Sequence, residues 1–337
     1  MALFDLPLEQ LERYAPAVPE PDDFDEFWRA TLAAAAADPV LVEVRPEPTD
    51  LSLVETWDVT FAGFGGAPVR AWFTRPAGVT AALPAVVEFL GYGRGRGLPH
   101  ERLTWPVAGY AHLLMDSRGQ GDVYGTGGAT PDPHGGALGG PGVLTRGILD
   151  PHDYYYRRLI TDAVRAVDAV RALPGVDPTR VAVAGNSQGG GLALATAGLV
   201  PDLAAVLPSV PFLSHIQRAI EITDAAPYAE LVTFLAVHRG AEAAVRRTLS
   251  YVDGVHFARR AGAPALFAVG LRDTVCPPST VFAAYNAYAG ATREIHVYPF
   301  NHHEGGDAVH VGRQLAWLRK LLAPGPAPLG RFSRKIL

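Results

Sequence analysis

The pentapeptide Gly185-Asn186-Ser187-Gln188-Gly189 places a serine between two glycines, where an apolar run gives way to small residues. A serine hydroxyl is a weak nucleophile until a base takes its proton, and that base is usually a histidine. Further along, Asp273 ends the apolar run "APALFAVGLRD", and His302 and His303 follow "REIHVYPFN". Residues of these types perform acyl transfer through a covalent intermediate, which also needs two N–H donors for an oxyanion. Gln188, directly after the serine, supplies one candidate amide. Tyr92 or its neighbours in "FLGYGRGRG" supply the other, with glycines at 91, 93, 95 and 97 that let backbone approach a substrate closely.

Each residue also has a plainer reading. The pentapeptide can be a tight turn, the glycine loop a mobile surface segment, and an aspartate after a strand a turn cap. Histidines are more often packed or solvated than reactive, and His215, His238, His256, His296 and His310 are read that way. Residue type does not separate His302 from His303. Asp307 competes with Asp273 as the acid, but it follows the histidines and is placed to cap the next helix.

These residues need elements to hold them. The runs 54–64 and 67–76 read as an antiparallel hairpin. After them, apolar runs at 84–92, 110–116, 180–185, 204–209, 263–270 and 293–300 alternate with helical patterns, the clearest being "DYYYRRLITDAVRAVDAVRAL". Near-continuous aliphatic runs suit strands buried on both faces of a parallel sheet. The expectation is one α/β domain over 1–337 with a mostly parallel eight-stranded sheet, helices on both faces and a helical insertion. Residues 1–48 are read as a helical extension in two pieces, and 211–260 as a helical, cap-like insertion over the carboxyl ends of the strands. This is the α/β-hydrolase pattern, in which the chain order is nucleophile, acid, histidine and the serine sits on a strand–turn–helix elbow. Ser187, Asp273 and the histidine pair keep that order. Residues 121–151, rich in Gly, Pro and Asp, are too long for a simple loop and are read as an ordered excursion or an interface element. The Pro-rich, basic tail from 323 is read as peripheral.

Composition narrows the classes. The chain has 337 residues, 48% hydrophobic and 19% charged, with a net charge of -5, which disfavours nucleic-acid or membrane-surface partners bound by charge. Its single cysteine, Cys276, allows no intrachain disulfide and no cysteine-held zinc. The amino terminus lacks a basic region followed by an apolar core, so a cytoplasmic location is expected. "GYGRGRGL" does not fit G-x-G-x-x-G, no P-loop motif occurs, and His303-Glu304 lacks the second histidine of a zincin because Asp307 occupies that position. No cofactor and no metal are expected.

Several short motifs together resemble carbohydrate esterase family 7, the acetyl xylan esterase and cephalosporin C deacetylase group of α/β hydrolases. Arg118-Gly119-Gln120 matches its RGQ motif, Gly185 to Gly189 its GxSQG motif, and His303-Glu304 its HE motif. The likeness extends through "FDLPLEQLERY", "DFDEFW", "TRGILDPHDYYYRRLITDAVRAV" and "CPPSTVFAAYNAYAG". The resemblance implies Ser187 as nucleophile, His303 rather than His302 as base, Asp273 as the orienting acid, and the Tyr92 and Gln188 amides as oxyanion hole. Arg118, Gln120 and Glu304 would be structural supports, since a guanidinium fork suits multi-donor bracing. It further implies a serine esterase removing acetyl groups from xylo-oligosaccharides, other acetylated sugars or cephalosporin C, and a closed hexamer with inward-facing sites. The alternative is a serine peptidase or acyl-peptide hydrolase of the same fold.

Overall fold

The computed structural model of the chain describes residues 4–36, 39–134 and 142–323. Part of the 121–151 segment and nearly all of the tail therefore lie outside the described residues. Two helices open the chain, α1 (Leu8–Leu11) and α2 (Phe24–Ala35), followed by the strands β1 (Leu41–Glu47), β2 (Val54–Ala62), β3 (Pro68–Pro76) and β4 (Leu83–Phe89). Next come α3 (Thr104–Val107), β5 (Ala111–Met115), α4 (Tyr155–Ala172), β6 (Val176–Asn186), α5 (Gln188–Leu199) and β7 (Ala205–Ser209). The helices α6 (Ile216–Ile222), α7 (Tyr228–Val237), α8 (Glu242–Ser250) and α9 (Gly254–Ala258) separate β7 from β8 (Ala265–Gly270). The chain then runs through α10 (Pro278–Ala287), β9 (Arg293–Tyr298) and α11 (Asp307–Leu321). Among the described residues, no helix is long and apolar enough to cross a membrane.

Among the described residues all the strands join one nine-stranded sheet in the order β1-β2-β3-β5-β4-β6-β7-β8-β9. From β5 to β9 every pairing is parallel, while β1, β2 and β3 pair antiparallel. The expected count of eight is corrected to nine: β1 lies inside the 1–48 segment read from sequence as a helical extension in two pieces. Its five central residues are exposed, so no hydrophobic alternation marks it. Strand side chains alternate between two apolar layers. Val87, Val183 and Phe267 face the layer carrying α2, α4, α5, α9 and α10, while Val86, Ala182, Ala184 and Leu266 face Trp105, Trp317 and Leu318 on the other side.

One topological feature decides where chemistry can occur. β4 lies between β5 and β6, and the chain leaves β4 toward β5 but leaves β6 toward β7. The loops after these neighbours diverge and open a crevice at their carboxyl ends, the usual ligand position in an open α/β sheet.

Candidate active site

Ser187 stands in that crevice, between β6 and α5, with φ 59° and ψ -119°. This backbone conformation is costly for a side-chain-bearing residue and persists only when its surroundings impose it. The Ser187 amide donates to the Ser209 carbonyl at 3.0 Å, and its carbonyl accepts from the Phe212 and Gly191 amides, each at 3.0 Å. The flanking glycines are required by space: a Cβ on Gly185 would overlap the Gly189 backbone, and one on Gly189 the Phe89 carbonyl. Gly190 and Gly191 are equally confined, by the Ser209 and Phe212 carbonyl oxygens. The serine itself remains partly exposed.

Asp273 follows β8 and is fully buried. Its Oδ1 accepts the amides of Val275 at 2.8 Å and Cys276 at 2.9 Å, while Oδ2 lies 2.8 Å from His303 Nδ1. One oxygen thus caps the turn, and the other meets the histidine. His303 is about a third exposed and comes off the loop after β9. His302 is exposed and is not brought to Asp273. Glu304 closes the loop behind the pair, accepting from Asn301 Nδ2 at 2.8 Å and from the His302 amide at 3.1 Å. Asp307 is the first residue of α11 and is exposed.

Register aligns the two candidate oxyanion donors. Phe89 of β4 pairs with Gly185 of β6, and Tyr92 and Gln188 each follow three residues later. Among the described residues neither amide donates to another protein group. A buried network holds the loops that carry them. Gln120 Oε1 accepts the Gly93 amide at 2.6 Å, and Gln120 Nε2 donates to Gln188 Oε1 at 2.9 Å. Tyr156 donates to the same Gln188 oxygen at 2.9 Å, and Gln188 Nε2 donates to the Leu90 carbonyl at 3.2 Å. Gln120 thus links the loop after β4 to the elbow after β6.

Arg118 lies one layer further out and is fully buried. Its Nε and Nη2 both donate to Asp162 of α4, Nη1 stands 3.5 Å from Asp132, and its carbonyl accepts the Tyr155 hydroxyl at 2.6 Å. The guanidinium ties the segment after β5 to α4 and makes no approach to Ser187 among these contacts.

The glycine loop is also anchored, contrary to its reading as a mobile surface segment. Arg96 Nη1 donates to Asp58 at 2.7 Å, its guanidinium stacks 3.8 Å from the Trp72 ring, and its amide donates to Asp116 at 2.8 Å. Asp116 also accepts from the Ala129 amide at 2.6 Å and the Thr130 hydroxyl at 2.9 Å. Sequence reasoning missed Asp58, Arg96 and Asp116. The position of Asp116 at the end of β5, two residues before Arg118, was the available signal. Two surface grooves, of about 380 Å³ beside Pro48 and His100 and about 440 Å³ beside Glu20 and Tyr251, include none of the residues just described.

Comparison with known proteins bears on this geometry. The family model described as acetyl xylan esterase (AXE1) matches residues 1–321. The acetyl esterase Axe7A of Xylanibacter ruminicola is 28% identical over 318 residues, covering 92% of this chain and 69% of its own. The structure of an acetyl xylan esterase from Paenibacillus sp. R4 is 40% identical with a TM-score of 0.88, covering 94% of this chain and 100% of that one. Acetyl xylan esterase 1 from Thermoanaerobacterium sp. JW/SL YS485 is 33% identical with a TM-score of 0.85, over 94% and 99% of the two chains.

Proposed function

The chain belongs to the acetyl xylan esterase family, and on that premise we propose that it removes acetyl groups from acetylated sugars by a serine acyl-enzyme mechanism. It is a carboxylic ester hydrolase of the α/β-hydrolase fold. In the proposed reaction, Ser187 Oγ attacks the acetyl carbonyl carbon while His303 Nε2 takes its proton. Asp273, 2.8 Å from Nδ1, holds the imidazole and stabilises the imidazolium. The tetrahedral oxyanion accepts from the Tyr92 and Gln188 amides. Its collapse breaks the ester bond, and His303 returns the proton to the departing alcohol. Water then attacks the acetyl-enzyme with the same base, releasing acetate and restoring Ser187. No step calls on a cofactor.

The observation that carries this reading is the His303–Asp273 pair on the sheet edge where Ser187 is held at φ 59°. A strained serine without an aligned base would have no such use. Acetylated xylo-oligosaccharides and cephalosporin C are the substrates we attach to it, and a closed hexamer is the assembly, to be checked by sedimentation velocity.

The direct test is the initial rate on p-nitrophenyl esters of increasing acyl length, with Ser187→Ala as the blank. Rates should peak at acetate and fall steeply by butyrate. A flat or rising profile would overturn the acetyl preference, and equal activity in folded Ser187→Ala would overturn the mechanism.

A further inference from the structure

Glu230 occupies the first turn of α7, in the insertion between β7 and β8, far along the chain from the site. Its Oε1 accepts the Tyr92 hydroxyl at 2.7 Å, and Oε2 accepts the Leu144 amide at 3.2 Å. The Tyr92 oxygen in turn accepts the Val143 amide at 2.6 Å and the Leu144 amide at 3.3 Å. One phenol and one carboxylate thus fasten together three segments: the loop after β4, the stretch entering α4, and α7.

Tyr92 needs such a handle. Gly91 and Gly93 flank it, and Gly93 sits at φ +74°, so local sterics impose little on the orientation of the intervening peptides. The Gly93 amide is held by Gln120 on one side. On the other, the Arg94 amide closes a turn on the Gly91 carbonyl at 3.2 Å, and the anchored ring is the side-chain restraint on Tyr92, with Phe212 against it edge to face at 6.4 Å between centroids.

The carboxylate also carries a cost. Among the described residues Glu230 forms no ion pair, and burial pushes its carboxyl above the usual range, only partly opposed by Tyr92, the Leu144 amide and Arg146. A half-buried carboxylate without a directly paired cation costs stability that an apolar contact would not.

We propose that Glu230 is a positioning residue for the reaction: by holding the Tyr92 hydroxyl it fixes the direction of the Tyr92 amide toward the oxyanion. This rests on the assignment of that amide to the oxyanion hole. A donor displaced by a fraction of an ångström loses much of its value in the transition state while binding of the ground-state ester changes little.

The test uses the full chain, an acetyl ester, and the variants Glu230→Leu, which removes the acceptor, and Tyr92→Phe, which removes the donor, alone and combined. Each single change should lower kcat about tenfold or more with KM changed less than about threefold. The double variant should be no worse than the poorer single one, because both act through one contact. Inhibition by phenylboronic acid, whose adduct with Ser187 places an oxygen at the oxyanion position, should weaken by the same factor as kcat. The kcat losses should not track melting temperature across the variants. Activity within about twofold of wild type, additive losses, or a loss that tracks a lower melting temperature would each overturn the proposal. Should Glu230→Leu fail to fold, Tyr92→Phe with the boronate decides alone, since it keeps the amide and removes only the handle. A wild-type enzyme without Ser187-dependent hydrolysis would overturn the functional reading itself, and the role of Glu230 with it.

Discussion

His302 and His303 share a residue type, a loop and a neighbourhood, and only side-chain direction separates them. His303 Nδ1 meets Asp273 at 2.8 Å, whereas His302 is exposed and contributes its backbone to the Glu304-closed turn. Under the proposed mechanism, His303→Ala should lower kcat by about 10⁴ or more, as loss of one member of a triad does, while His302→Ala should stay within about threefold. Steady-state rates on p-nitrophenyl acetate decide this, and comparable losses in the two variants would remove His303 as base. Residue type and chain order were enough to mark Ser187 and Asp273, and a motif match was needed to prefer His303. What sequence could not offer was contact between distant segments. Glu230 reads as an ordinary acidic residue in a helical first turn, and its partner Tyr92 lies 138 positions away.

Elements were legible where burial imposes a pattern. The sequence read around Ser187 as strand, turn and helix corresponds to β6, the elbow and α5, and the glycines that lower helix propensity there are the ones confined by neighbouring backbone. β1 escaped because an edge strand exposed on both faces has no apolar side to reveal it, and "LVEVRPE" carries charges and a proline. The elbow gives a prediction at this scale. Gly189→Ala would drive a methyl into the Phe89 carbonyl, at the end of the strand that leads to Tyr92. Neither backbone can yield without moving Ser187 or the loop after β4, so stability should fall by about 1–3 kcal/mol and activity should fall with it. Gly240→Ala meets nothing within 4 Å and serves as the control, with unchanged melting temperature and rate. A Gly189→Ala enzyme as stable and active as that control would show that the elbow tolerates the methyl.

At the scale of the molecule, the diverging connections of β4 and β6 bring residues from both halves of the chain to one crevice, and charges buried in the sheet keep those strands in place. Glu88 of β4 is one of them. Its Oε1 accepts from Arg102 Nη1 at 2.5 Å, and Oε2 lies 3.1 Å from Nε2 of His112 on neighbouring β5. Burial alone would raise the Glu88 pKa, but His112 and Arg102 overcome it and hold the carboxyl down at about 2, against 4.5 for an unperturbed glutamate. A carboxyl depressed in the folded state contributes its full stabilisation above the unfolded pKa and loses it as pH falls through the folded value. The window is thus from about 4.5 down to about 2. The depression corresponds to about 3 kcal/mol. Asp58, held below the usual range against burial by Arg96 and Arg70, shifts in the same sense and steepens the acid limb of both proteins alike. The difference between wild type and Glu88→Gln isolates the one group. In denaturant titrations that difference should be largest and flat at pH 5–7, shrink steadily below pH 4.5, and approach zero near pH 2. A difference independent of pH would assign Glu88 a packing role and return the acid sensitivity to the other carboxylates.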